Sequence, residues 1–273
     1  MRAGLVQLCS GDDPAANLTQ TREYIRDSAA RGADFVLTPE VTNCVSGSRT
    51  RQMEVLHPET EDETLAALRA EAEALGIWLL IGSLALKRAG PGAPFVNRSF
   101  LVAPDGSIRA RYDKIHMFDV TISETEVYRE SAGYAPGAEA VLAETDFGTL
   151  GLTICYDLRF PALFRSLAQA GAQILTVPSA FARATGQAHW ETLLRARAIE
   201  CGAFVLAPAQ TGTHPTSTDK TRKTHGHSLA IGPWGDVLAD AGTEPGITMV
   251  DLTLEQVAES RRRIPSLQHD RAY

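Results

Sequence analysis

Residues 149–161 read TLGLTICYDLRFP, an apolar run that delivers a cysteine and then turns abruptly polar. Leu150, Leu152 and Ile154 alternate with Gly151 and Thr153, the two-residue period of a strand, while Asp157 and Pro161 are turn and helix-start residues. Cys155 is therefore expected at the carboxyl end of a strand, the edge where layered α/β proteins bind ligands. A helix starting just beyond would aim its backbone N–H groups and positive dipole end at the thiol, a setting that lowers a thiol pKa. The same position suits a buried cysteine acting as a small hydrophobe. The rest of the chain has to choose between them.

On the N-terminal side, the apolar run Ala3 to Cys9, a turn around Gly11 to Pro14 and a helix-period segment from Asn17 to Arg31 read as strand, turn and helix. The short run Ala33 to Leu37 ends in Thr38-Pro39-Glu40, where proline stops a strand, so Glu40 leaves a strand edge much as Cys155 does. A loop to Pro58 precedes a helix over Asp62 to Leu75, closed by Gly76, and a strong strand over Ile77 to Leu84. The segment RAGPGAP at 88–94 breaks the pattern, and Asp105-Gly106 joins Asn97–Ala103 to Ser107–Tyr112 as a hairpin, with Lys114 just beyond. From Asp113 to Gly137, with Glu124, Glu126 and Glu130, the pattern is that of a long irregular loop, a feature often tied to function.

On the C-terminal side, a helix over Pro161 to Ala170 leads to a strand at Ala172–Pro178, and Gly186 opens a long helix over Gln187 to Cys201. Its apolar positions Trp190, Leu193, Leu194 and Ala198 repeat at helical spacing, as a core face does. Strands follow at Ala203–Ala209, Gly226–Ile231, Val237–Ala239 and Ile247–Asp251, then a helix over Leu254–Arg263 and a polar tail. No internal repeat and no linker divide the chain, so residues 1–273 are expected to form a single domain.

Composition narrows the function classes. The 273 residues are 44% hydrophobic, and single domains of about 200–250 residues are common in this class. A net charge of -7 argues against nucleic acid or an anionic membrane as partner, and the basic cluster Arg261–Arg263 reads as a solvated face. Cysteines at 9, 44, 155 and 201 show no paired spacing, which suits reduced thiols in a cytoplasmic protein. Neither a signal peptide nor a membrane-length apolar run stands out. Asn17-Leu-Thr19 and Asn97-Arg-Ser99 match the glycosylation pattern but carry no meaning without secretion.

HExxH, phosphate-loop, GxGxxG and GxSxG motifs are all absent from the sequence, and His225-Gly-His227 lacks an acidic cluster to complete a metal site. What remains is a cysteine in need of a base. By side-chain chemistry a histidine such as His116 or His189 would be the usual choice, and the residues alone do not select one.

The motifs TPE ending at Glu40, YDKIHMFD around Lys114, GLTICYDLRFP around Cys155, FARATGQAHWETLLRARAIE and HGHSLAIGPWG fall in order over nearly the whole chain and resemble the nitrilase superfamily of carbon–nitrogen hydrolases. The Tyr112–His116 segment, the Glu130-Ser131 and Pro136-Gly137 spacing, and the Thr185–Trp190 run are most similar to its Nit amidase branch. The resemblance implies Cys155 as nucleophile, Glu40 as the base, Lys114 as oxyanion stabiliser and Glu130 as a second glutamate at the site. It implies a four-layer α-β-β-α sandwich, no metal or organic cofactor, and a homodimer whose polar tail, Ile264–Tyr273, crosses to the partner. The backbone N–H of Tyr156 is expected to be the second oxyanion donor. Asp157 and Arg159 are expected to pair across the Cys155 turn, His189, Trp190, Arg195, Arg197 and Glu200 to supply packing and ion pairs on one helix, Phe181 to line the pocket, and Arg183 to bind a substrate carboxylate.

The implied substrate is a small carboxylate-bearing amide. Val177–Phe181 and Ala209–His214 look more like the deaminated glutathione type of the branch than the omega-amidase type acting on 2-oxo acid monoamides, with N-carbamoyl-amine hydrolysis next. The polar segment 211–228 is expected at the pocket rim. A non-catalytic scaffold and a redox-thiol protein are the readings from other classes.

Overall fold

The computed structural model describes residues 1–90, 92–124 and 126–271. The first part of the chain forms β1 (Arg2–Gln7), α1 (Pro14–Ala30), β2 (Phe35–Leu37), α2 (Arg49–Val55), α3 (Glu63–Leu75), β3 (Trp78–Leu86), β4 (Val96–Val102), β5 (Ile108–Asp113), β6 (Asp119–Thr121) and β7 (Val127–Arg129). The second part forms β8 (Val141–Thr145), β9 (Gly148–Leu152), α4 (Pro161–Gln169), β10 (Ile174–Thr176), α5 (Arg183–Cys201), β11 (Phe204–Ala207), β12 (Thr211–Thr213), β13 (Lys223–His225), β14 (Leu229–Ile231), β15 (Val237–Asp240), β16 (Gly246–Asp251) and α6 (Glu255–Arg263).

Two six-stranded sheets result, ordered β16-β1-β2-β3-β4-β5 and β15-β14-β11-β10-β9-β8. Their pairings correspond. β1, β2 and β3 run parallel with antiparallel strands outside them, and β9, β10 and β11 repeat that pattern. Alternation sorts the side chains. Leu5, Leu37, Leu80 and Leu101 of the first sheet share one buried cluster with Leu150, Leu152 and Ile174 of the second, so this is the interface between the sheets. Val6, Val36, Leu79 and Phe100 face the other way, against Ile25 of α1 and Leu65, Leu68 and Ala72 of α3. On the second sheet α4 and α5 bury Phe164, Leu167, Trp190, Leu194 and Ala198. The layers are thus helix, sheet, sheet, helix, as expected.

Local chemistry sets the boundaries. Asp13 caps α1 by accepting from Ala15 N and Ala16 N, which starts the helix at Pro14 rather than Asn17. Asp62 caps α3 and Gly76 closes it at φ 64°, a left-handed position where glycine is unstrained. Helix α5 begins at Arg183, before Gly186, and Gly186 sits where any Cβ would come 2.4 Å from His225. The segment expected as a loop before Pro58 contains α2, and the long irregular stretch contains the β6–β7 ribbon. Arg261 is not simply solvated: its Nε donates to Cys201 O at 3.1 Å at the end of α5.

The described part of the tail lies on its own chain, where Arg165 Nε donates to Asp270 Oδ1 at 2.9 Å and Gln169 Nε2 to Leu267 O at 2.9 Å. Ala272 and Tyr273, also assigned to that tail, and Pro91 of the RAGPGAP segment lie outside the described residues. Among the described residues no helix is long and apolar enough to cross a membrane.

Candidate active site

Both sheets send their parallel strands toward one edge, and the chemistry gathers there. Glu40 leaves β2 and Lys114 follows β5 in the first sheet, while Cys155 follows β9 and Ala180 follows β10 in the second. Cys155 opens a short 3-10 turn, Cys155–Arg159, at φ 49°, and Val41 beside Glu40 sits at φ 47°. Positive φ is costly for residues with a Cβ, most of all for a β-branched one, and such strain is concentrated at functional turns.

Asp157 holds the Cys155 turn. Its Oδ2 accepts from Ile154 N at 2.8 Å and Tyr112 OH at 2.7 Å, and its Oδ1 accepts from His116 N at 3.0 Å. His116 Nδ1 lies 2.7 Å from the same Oδ1 and the ring stacks on Phe160. The expected Asp157–Arg159 pair is not what forms. Asp157 is fully buried and bonded to the turn and the β5 side, and Arg159 instead reaches His189 Nδ1 at 3.3 Å and lies over the Phe181 ring. His116 and His189 are thereby engaged outside the cavity, and neither lines it. On α5, Arg197 pairs with Glu200 while Arg195 pairs with Glu191.

Glu40, Lys114 and Cys155 are 4%, 2% and 6% exposed. Lys114 Nζ donates to Glu40 Oε1 at 2.9 Å and to Glu130 Oε1 and Oε2 at 3.0 and 2.9 Å. Glu40 Oε1 also accepts from Asn97 Nδ2 at 2.9 Å, and Oε2 accepts from Ala180 N at 2.7 Å. The Cys155 thiol completes the set beside Glu40, close enough for each to shift the other's proton affinity. Glu130 Oε2 takes Phe118 N at 2.7 Å, which ties the β6–β7 ribbon to the cluster.

Charge states follow from these contacts. Burial works against the Glu40 carboxylate, but Lys114 and the hydrogen bonds outweigh it and hold its pKa below the usual range. Burial opposes the Lys114 ammonium too, yet Glu130 and Glu40 raise its pKa well above the ordinary value. For Cys155, burial and the adjacent Glu40 push the pKa up and Lys114 only partly offsets them. The lowered thiol pKa expected from a helix dipole is therefore overturned, because desolvation and a neighbouring carboxylate dominate one short turn. The resting pair is a thiol beside a carboxylate, with the proton placed to move from one to the other.

The cluster opens into a cavity of about 300 Å³ lined by Phe118, Tyr128, Arg129, Glu130, Tyr156 and Phe181 among others. Tyr156 follows Cys155 in the first turn of the 3-10 helix, where N–H groups have no intrahelical acceptor. Phe181 is in the wall as expected; Arg183 is not. Arg183 is the exposed first residue of α5 and is not part of the lining; the helix starts four residues earlier than its glycine suggests. Three other arginines are among the lining residues instead: Arg49, Arg129 and Arg222. Arg222 Nη2 donates to Ala180 O at 2.9 Å and its guanidinium lies over Tyr128. It arrives on the segment 211–228, which Asp12 and His214 pin to the N-terminal loop through Ser217 N at 2.8 Å and Ser10 O at 2.7 Å.

Asn97 and Arg222, like Arg49, Arg129, Phe118 and Tyr128, lie at the site without having been assigned to it from the sequence. Asn97 had a signal: it stands two residues from Ser99 and four from Leu101, on the inward phase of a buried strand. Arg222 had none, because its segment lacks any period.

A family model described as carbon-nitrogen hydrolase matches residues 2–262. A deaminated glutathione amidase from Synechocystis sp. is 39% identical over 269 residues, covering 98% of this chain and 97% of that one. The human omega-amidase NIT2 is 35% identical over 276 residues, 99% and 95% of the two chains. Among solved structures, the Caenorhabditis elegans NitFhit protein superposes with a TM-score of 0.90 at 34% identity over 99% of this chain, which spans 65% of that longer chain.

Proposed function

The chain belongs to the carbon–nitrogen hydrolase family and is a hydrolase acting on carbon–nitrogen bonds, and from this premise we propose that it is a cysteine amidase for small acid-bearing linear amides, releasing ammonia. The observation that carries the reading is the buried Glu40–Lys114–Cys155 cluster, hydrogen-bonded within itself and open to one cavity.

An amide carbonyl is a poor electrophile, so attack needs a thiolate, a place for its proton and positive charge where oxygen becomes anionic. Glu40 takes the thiol proton as Cys155 Sγ bonds to the carbonyl carbon, and Lys114 Nζ with Tyr156 N–H receives the oxyanion. The proton passes from Glu40 to nitrogen as the C–N bond breaks, so ammonia leaves and a thioester remains. Water then gives Glu40 a proton and adds to the thioester, and that proton returns to sulfur as the acid departs. Glu130 holds Lys114 from the side opposite Glu40 and orients the water. No step calls for a metal or organic cofactor.

Three arginines without a carboxylate partner among the described residues make the cavity favour an anionic substrate. That supports an acyl group bearing carboxylate, and with relatives named deaminated glutathione amidase and omega-amidase we put deaminated glutathione first and 2-oxoglutaramate, the substrate the family resemblance implies for the omega-amidase type, second. The test is ammonia release, wild type beside Cys155→Ala, over deaminated glutathione, 2-oxoglutaramate, glutamine, asparagine and an N-carbamoyl amine. Cys155-dependent release from one acid-bearing amide supports the reading; its absence from all of them, with the protein folded, refutes it and leaves the scaffold or redox-thiol readings.

The remaining expectations complete the proposal: one catalytic domain over 1–273, a cytoplasmic location, and a homodimer. Ile199 of α5, Trp234 and Val237 around the β14–β15 turn, and Ile264 after α6 are 41–56% exposed, an apolar surface suited to a second copy.

A further inference from the structure

We propose that Asn97 reads the leaving group: its Oδ1 accepts an N–H of the scissile amide, and then of the departing ammonia, while its Nδ2 holds Glu40. This rests on the amidase reading and deepens it. Asn97 stands near the start of β4 opposite Ala85 of β3, and its backbone carbonyl accepts Lys114 N at 3.0 Å. The ladder that fixes Lys114 therefore fixes Asn97 as well, and the side chain joins the cavity wall at 2% exposure.

Nδ2 donates to Glu40 Oε1 at 2.9 Å, the oxygen that Lys114 also uses. The amide cannot be reversed, because its carbonyl oxygen would then face a carboxylate oxygen. With Oε1 engaged by two donors and Oε2 by Ala180 N alone, Oε2 keeps the lone pair that can exchange a proton with Cys155. Oδ1 is the one buried side-chain nitrogen or oxygen that has no hydrogen-bond partner among the described residues. An unpaired buried acceptor is costly and calls for an explanation. Asn97 is among the residues lining the cavity into which a substrate donor has to arrive.

Only one end of the substrate can supply that donor. The carbonyl oxygen is an acceptor, matched by Lys114 and Tyr156 N–H. The nitrogen carries two N–H groups in a primary amide and three in ammonia, whereas an ester oxygen and a nitrile nitrogen carry none. Asn97 is thus a residue that selects amides over esters and nitriles of the same acyl group.

The experiment compares kcat/KM for the amide that the wild type cleaves best and for the methyl ester of the same acid, in wild type, Asn97→Leu and the isosteric Asn97→Asp. Losing Nδ2 loosens Glu40 and slows both substrates; losing Oδ1 slows only the amide. Asn97→Leu is expected to lower the amide-to-ester ratio about 10–100-fold, the worth of one buried hydrogen bond. Asn97→Asp keeps an acceptor there and is expected to keep the ratio near wild type while both rates fall. Equal losses for amide and ester in Asn97→Leu would overturn the proposal, leaving Asn97 to position Glu40 and to hold no more than a water. Wild type inactive on every amide would instead remove the amidase reading, and this proposal with it.

Discussion

Lys114 is one positive charge set against the buried Glu40 carboxylate, the partly buried Glu130 carboxylate and a thiol, so its loss is felt twice. Lys114→Met removes the proposed oxyanion donor and is expected to lower kcat by about 10²–10³ or more. It also strands Glu40 and Glu130, which is expected to cost about 3–5 kcal/mol of stability at neutral pH. That loss has a sign that urea titration can check. Unpartnered carboxylates have raised folded-state pKa values, so the variant regains stability relative to wild type as pH falls into the carboxylate range. In wild type the shift runs the other way. Glu40 stays ionised below the usual glutamate pKa, so kcat/KM is expected to stay level as pH drops from 7 through about 4.3 and to fall only below it. A limb centred near 6 would assign the base elsewhere. For Arg222→Ala, KM for an acid-bearing amide is expected to rise by about tenfold or more, with little change for a neutral amide, as steady-state kinetics would show.

At the scale of elements, the site depends on how closely two strand ends approach. A Cβ on Gly82 of β3 would lie 1.9 Å from Thr38 O and 2.6 Å from Pro39 O, so only glycine lets β3 pass beneath the turn that presents Glu40. Gly82→Ala is expected to cut the melting temperature and the activity together, whereas alanine at Gly76, where nothing lies within 4 Å, carries only the strain of φ 64° and spares kcat. Strands and helices with strong periods were legible in sequence: α3 with Asp62 and Gly76 at its ends, the Asp105-Gly106 hairpin, and Cys155 at the exit of β9. Elements that owe their form to tertiary contacts were not. The β6–β7 strands are three residues each, too short to show alternation, and are held by the Glu130–Phe118 bond as much as by their own pairing. Asp157 was legible as a turn residue, but its partners Tyr112 and His116 come from over 40 positions away and nothing local names them.

For the whole molecule, the paired sheets make one edge at which four strand ends meet, and the family resemblance carried by the ordered motifs already implied that Glu40, Lys114 and Cys155 would share one site. What the order could not give is the side that faces substrate, since Arg49, Arg129 and Arg222 come from three separate segments. One of these segments is pinned by His214, whose pKa burial lowers to about 4, as it does for His225 on β13. Both stay neutral in the folded state, whereas the unfolded chain binds their protons near 6.5, so stability is expected to decline as pH falls from about 6.5 toward 4. Hydrogen exchange in 211–228 should rise over the same window, and replacing His214 with glutamine should remove part of that dependence. The exposed Ile199, Trp234 and Val237 bear on assembly. Light scattering at micromolar concentration is expected to give twice the chain mass, and Ile199→Glu to shift it toward the monomer.

The most direct measurement of the central claim is the intact mass of the protein quenched in acid during turnover of its best amide. The account predicts an adduct equal to the acyl group, placed on the Cys155 peptide, with one ammonia released per adduct in the first turnover and neither product from Cys155→Ala. Ammonia release that continues undiminished in Cys155→Ala, with no adduct in either protein, would contradict it.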